Sequence, residues 1–280
     1  MRSLRLVGLV LPLVLVLPVV ARGEGDLLLA TTTSVNDSGL LDFLIPLFEE
    51  ETGIVVRPVV VGSGAALRMG ALGNVDAVLT HAPPAEMELV ASGAAASRLP
   101  FMVNWFVIAG PEEDPVGVSE ASSVIEAVHL IRRAEGLWVS RGDDSGTHRR
   151  ERALLAEAGL EENGDWPGFI STGSGMGLSL QVAGERGAYV LADVGTFLAF
   201  RERTGLRALY QREEALLRNE YSLLRVSSDR FPKVQASAAA AFENFLCSRG
   251  TQRRLATFGV ERFGRPLFRP LYPKSCARGR

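Results

Sequence analysis

Residues 140–148 read SRGDDSGTH, and the fold turns on how this stretch is read. A short apolar run, GLWV at 136–139, leads into it, and residues 149–158 have the composition of a helix. A strand, a polar glycine-containing turn and a helix start together place backbone N–H groups and the hydroxyls of Ser145 and Thr147 at one helix N-terminus. Such an end carries about half a positive charge and up to four N–H groups without intrahelical partners, so it binds anions without any further device. Arg141, four residues before Ser145 and six before Thr147, adds a planar, permanently charged fork. The same residues also suit an ordinary capped helix, with Asp144 or Ser145 as N-cap and Arg141 paired to Asp143. Other segments decide between the two.

The scheme recurs on both sides of this stretch. LLLA at 27–30 reads as a strand that ends in the hydroxyl run Thr31, Thr32, Thr33 and Ser34; Asp37 or Ser38 then caps a helix that Gly53 ends. The β-branched run 54–61 leads into Gly62, Ser63 and Gly64 and a second helix, and 77–79 leads into THAPP. Beyond residue 148, 169–170 leads into STGSGMG and a helix over 178–186, and 189–192 leads into DVGT. This alternation predicts an α/β protein with a parallel sheet and all these turns at the carboxyl ends of strands. The long apolar strand FMVNWFVIA at 101–109 is followed by the Pro-rich, acidic PEEDPVG, which reads as a connection between lobes. Two lobes are expected, residues 24–109 with 222–280 forming one and 110–221 the other, with a ligand cleft between them.

The N-terminus has a different character. Arg2 and Arg5 precede a nearly unbroken apolar run over 6–21, broken by Pro12 and Pro18, and small residues follow. This is the pattern of a signal peptide over 1–23, too short and too Pro-interrupted for a spanning helix. Cleavage after Gly23 removes three arginines, Arg22 included, and takes the formal charge from −2 to −5. Such an acidic chain without a basic run is a poor nucleic-acid partner. Cys247 and Cys276 are the two cysteines, and in an exported chain they are expected to pair. No clustered ligand spacing points to a metal, no cofactor motif is complete, and a monomer is expected.

An enzyme would need a nucleophile or base. GSGMG at 173–177 lacks the Lys and Ser/Thr of a P-loop, and plain turn chemistry accounts for its glycines. His81 and His148 lie on turns toward the presumed cleft, but neither has a Ser or Cys partner with an orienting third group. What remains is several helix starts, neutral hydroxyls and one arginine converging on one place, a constellation suited to a tetrahedral oxyanion.

TTTSVNDSGLL at 31–41, VGSGAAL at 61–67, DAVLTHAPPAE at 76–86, SRGDDSGTH, and the run from GSGMG to DVGT at 173–196 resemble the tungstate-binding proteins of tungstate ABC transporters. The resemblance covers about residues 27–268. It implies a type II periplasmic-binding-protein fold, two lobes closing on tungstate, and delivery to a membrane permease outside the cytoplasm. It also implies that Thr32, Thr33, Ser34, Ser63, Arg141, Ser145 and Thr147 hold the oxyanion. Two positions depart from the family pattern. Ser63 stands where Thr is usual, and Val194 replaces the Arg of DRGT, which opens the role of that turn. Phosphate is the runner-up ligand, with molybdate and sulfate behind it; a secreted phosphate-ester hydrolase is the reading from another class. Hydrogen phosphate favours a carboxylate acceptor in the pocket and fully ionised tungstate does not, which singles out Asp143.

Overall fold

The computed structural model describes residues 25–161 and 166–272. The expected signal segment and Cys276 lie outside them. In chain order, β1 (Leu27–Thr32) runs into α1 (Thr33–Asp37), followed by α2 (Leu40–Thr52), β2 (Val56–Val61), α3 (Ser63–Ala71), β3 (Ala77–Thr80) and α4 (Pro83–Ala91). The long β4 (Ala95–Pro111) leads to α5 (Val124–Arg133), β5 (Trp138–Ser140), α6 (Gly146–Glu157) and β6 (Phe169–Ser171). Then come α7 (Met176–Arg186), β7 (Tyr189–Asp193), α8 (Val194–Thr204), β8 (Leu206–Tyr210), β9 (Arg218–Val226), α9 (Ala236–Cys247), α10 (Arg249–Leu255) and β10 (Arg269–Pro270).

Local chemistry explains most boundaries. β1 is buried along nearly its whole length, as its unbroken apolar run requires of a central strand. The hydroxyl run forms a helix of its own rather than a loop, because Thr32 Oγ1 caps it by accepting from Val35 N–H at 3.3 Å. The next helix starts at Leu40; Gly39, left-handed at φ 78°, stands at its N-cap position, and Ser38 Oγ accepts from the Leu40 N–H at 3.4 Å, whereas Asp37 ends α1. Gly53, left-handed at φ 70°, ends α2 with its N–H on the Glu49 carbonyl.

Among the described residues ten strands form one sheet in the order β2-β1-β3-β9-β4-β7-β5-β6, with β8 and β10 also paired to β4. The expected all-parallel sheet is mixed instead. β1 pairs in parallel with β2 and β3, and β5 with β6 and β7, but β9 is antiparallel to β3 and β4, and β4 is antiparallel to β7. The reason is topological: the chain leaves the first half along β4 and returns along β9, so the two connecting strands run in opposite directions. On β4, residues up to Trp105 pair with β9, and Phe106 onward pairs with β7 and β8.

The scaffold beneath the site is densely packed. Trp138 on β5 is fully buried, and its indole N–H donates to Glu151 Oε1 at 2.9 Å, tying the strand to α6. Burial pushes the Glu151 carboxyl up to about 7, with the Trp138 N–H pulling in the other direction. In the first half, Phe48 meets Phe242 edge-on with centroids 4.9 Å apart, locking α2 onto α9. Cys247 is disulfide-bonded. Thiol titration of the unreduced native protein is expected to find no free cysteine; two reactive thiols would refute the bond. Among the described residues no helix is long and apolar enough to cross a membrane.

Candidate oxyanion site

The turn between β5 and α6 is built by two left-handed residues, Gly142 at φ 61° and Asp144 at φ 54°. Asp is among the few non-glycine residues that tolerate this conformation. Gly142 is confined further, since a Cβ there would lie 1.9 Å from Ser171 Oγ on the neighbouring strand. Ser145 caps α6 by accepting from His148 N–H at 3.3 Å. The bland half of the sequence reading is therefore present: this is a capped helix start, and Arg141 does pair with Asp143.

The pairing leaves something over. Arg141 is 3% exposed, and its Nη2 donates to Asp143 Oδ2 at 2.5 Å. The other Asp143 oxygen accepts from Ser145 N–H at 3.2 Å. Asp143 thus braces the arginine and the turn together. Arg141 Nε is buried with no hydrogen-bond partner, and so is Thr147 Oγ1. Buried donors without partners are costly and rare in folded proteins. Here they sit on one turn, beside a helix N-terminus, which is the arrangement an anion satisfies.

The first half meets this turn directly. Ser63, at the start of α3, is 1% exposed, and its Oγ accepts from Gly146 N–H at 3.3 Å. Gly64 faces the Asp144–Arg149 ion pair, and Gly195 at the start of α8 packs against Ser38, just after α1. The cleft is shut. Thr32 and Ser34 are buried and Thr33 is half-buried at the start of α1. The Arg141 charge acts on Asp37 of α1, on Asp193 and on His81, so it lies within electrostatic reach of all three elements. The structure therefore places Ser63, Arg141, Ser145 and Thr147 at one junction, while Thr32, Thr33 and Ser34 lie at the start of α1, whose Asp37 feels the Arg141 charge.

Sequence reasoning left the DVGT turn open, and the structure gives it more weight. Asp193 caps α8, accepting from Thr196 N–H at 3.0 Å, and both residues are fully buried. Asp193 Oδ1 and Thr196 Oγ1 find no partner beyond the Asp193–Thr196 pair itself. Burial raises the pKa of Asp193, while the Thr196 N–H and Arg141 pull it down. The signal was in the sequence: a hydroxyl in the first turn of a helix that follows a strand, one residue further into the helix than the Thr of SGT. Val194 contributes no charge to it. Among the described residues no cluster of His, Cys, Asp and Glu could hold a metal ion.

An α/β fold of two halves joined by crossing strands, shut over buried donors, defines a solute-binding protein of the periplasmic-binding class, and the family described as PBP superfamily domain matches residues 19–249. The chain is 39% identical over 251 residues to tungstate-binding protein TupA of Peptoclostridium acidaminophilum, covering 89% of this chain and 87% of that one. Two solved structures are also similar. The tungstate-binding protein TupA from Desulfovibrio alaskensis G20 shares 37% identity at a TM-score of 0.76, covering 88% of this chain and 99% of the other. A tungstate ABC transporter structure from Geobacter sulfurreducens shares 37% identity at a TM-score of 0.77, with coverages of 83% and 98%. The chain belongs to the family of tungstate-binding proteins.

Proposed function

We propose that this protein is an extracytoplasmic receptor that captures tungstate, with molybdate as a second candidate, and delivers it to the permease of an ABC transporter. The observation that carries the reading is the buried pair of unused donors, Arg141 Nε and Thr147 Oγ1, on a turn already closed by the opposite half. Thr32, Thr33, Ser34, Ser63 and Ser145 complete the hydroxyl set, and Thr196 joins it. In this reading residues 24–109 with 222–280 form one lobe, 110–221 the other, and the mature protein is an exported, non-catalytic monomer. The phosphate reading is not favoured by the relatives, which are tungstate-binding proteins; Asp143 holds Arg141 and the Ser145 N–H and keeps further acceptor capacity. The hydrolase reading draws no support from the relatives, which are binding proteins.

Calorimetric titration with tungstate, molybdate, sulfate and phosphate tests this directly. Stoichiometric binding of tungstate, with phosphate far weaker, is the expected result; tight phosphate and weak tungstate would overturn it. Thr147→Ala is expected to weaken tungstate binding by about 0.5–1.5 kcal/mol, the net contribution of one neutral hydrogen bond, if the helix-end N–H groups stay in place. An unchanged dissociation constant would remove Thr147 from the site. Because ligand contacts come from both halves, the anion favours the closed state by its differential affinity. Small-angle scattering is expected to show a more compact particle with tungstate than without; superimposable profiles would mean the cleft is preformed.

A further inference from the structure

His81, at the end of β3, takes no part in the anion contacts above, yet it lies at the mechanical centre of the molecule. Its Nδ1 is 2.9 Å from Asn219 Oδ1, and Asn219 Nδ2 donates to Asn104 Oδ1 and to the Tyr221 hydroxyl, each at 2.8 Å. With the Asn219 amide so oriented, Nδ1 carries the proton of a neutral ring. The ring stacks on Tyr221 with centroids 5.0 Å apart. Asn104 belongs to β4 and Asn219 and Tyr221 to β9, the two strands that connect the halves. The opposite half closes onto the same ring: a Cβ on Gly146 would come 3.1 Å from His81 Cε1. One imidazole thus touches both the connecting strands and the helix start that moves against them.

The surroundings accept this ring only when it is uncharged. The positive end of α6 abuts it, and Arg141 and Arg150 both disfavour its protonation. The two carboxylates closest to it in sequence are committed elsewhere, Glu86 to Thr80 Oγ1, Ala82 N–H and Arg98, and Asp76 to the Leu28 and Gln235 N–H groups. Tyr221 offers a neutral face. We propose that His81 is the positioning residue on which α6 seats when the cleft shuts, and that a proton on its ring unseats the helix and releases the anion. The inference rests on the receptor reading above and adds a pH dependence to it.

In the closed state burial, above all, pushes the His81 pKa down from its ordinary 6.5 to about 4, with Arg141 and Arg150 acting in the same direction and Asn219 against them. An open cleft exposes the ring to water and returns it toward the ordinary value. The sign follows: closing expels a proton, so the closed, liganded state is favoured above pH 6.5 and weakens as pH falls toward 4. Linkage between those two values makes tungstate binding roughly tenfold weaker at pH 5.5 than at pH 7.5. Asp37, Asp193 and His148 also lie near the junction, but they are common to the native protein and to H81Q, so the difference between the two isolates His81.

The experiment has two arms. Tungstate affinity of the native protein and of H81Q is measured at pH 7.5 and 5.5; the native protein is expected to lose about tenfold relative to the variant. In the native protein alone, the ring signal of His81, one of three histidines in the chain, is followed by NMR. It is expected to titrate near pH 6.5 without ligand and to stay neutral to below pH 5 with tungstate bound. Equal pH dependence in native protein and H81Q, or the same His81 titration with and without tungstate, overturns the inference and leaves the receptor reading standing. Absence of tungstate binding at pH 7.5 overturns both.

Discussion

Arg141→Ala is expected to weaken tungstate binding by roughly 30- to several-thousand-fold, the equivalent of about 2–5 kcal/mol. The side chain supplies a buried formal positive charge, and the other proposed contacts are neutral hydroxyls or N–H groups. Removing it leaves a doubly charged ligand facing dipoles alone, and it also strips Asp143 of its partner. That second effect sharpens the outcome. Asp143 would then present an unneutralised carboxylate 18% exposed at the cleft floor, repelling the very ligand the arginine attracted. The double change Arg141→Ala with Asp143→Ala is therefore expected to bind better than Arg141→Ala alone, though far below the native protein. Arg141→Lys keeps the charge but not the fork that reaches Asp143 and the ligand together, so it should recover only part of the loss. Dissociation constants by calorimetry, with circular dichroism to confirm folding, check the series. An Arg141→Ala variant that binds as tightly as its parent would show that this turn is no more than a helix cap.

Much of this arrangement was legible in the sequence, and the parts that were not share a cause. A strand followed by a hydroxyl-rich or glycine turn and a helix start is a local pattern, so β1, β3, β5, β7 and the helices after them could be read from a few residues each. The antiparallel course of β9 could not, because pairing with β3 and β4 depends on residues over 100 positions away in sequence. The short helix α1 was hidden for a different reason: the hydroxyl run reads as a turn, and only the cap of Thr32 on Val35 N–H makes it helical before Gly39 separates it from α2. At the site, the residues on one turn were found together, and the pairing of Asp143 with Arg141 was anticipated, whereas its bond from the Ser145 N–H needed the folded turn. His81 carried no sequence signal beyond its position on a turn. Its importance comes from Asn104, Asn219 and Tyr221, which meet only in three dimensions.

Gly146→Leu is expected to hold the cleft open without harming the fold. Gly146 has an ordinary backbone conformation, absent from the left-handed positions, so no strain forbids a side chain there. What forbids it is the opposite half: a Cβ would stand 3.1 Å from His81 Cε1 and 3.2 Å from Ser63 Oγ, both tighter than ordinary contact. Alanine asks each neighbour to yield by a few tenths of an ångström, but leucine adds three further carbons with nowhere to go. In the closed state the cost is that of overpacking, about 1–3 kcal/mol, with loss of the Gly146 N–H to Ser63 hydrogen bond adding about 0.5–1.5 kcal/mol. When the halves part, the same side chain stands in water at a helix start and costs little. Thermal unfolding of the ligand-free protein should therefore change only slightly, while tungstate affinity falls by roughly ten- to a thousandfold. Scattering should show the variant expanded at tungstate concentrations that compact the parent. Native affinity in Gly146→Leu would mean that α6 does not seat on Ser63 and His81 when the anion binds, and the contact between the two halves would lose its part in capture.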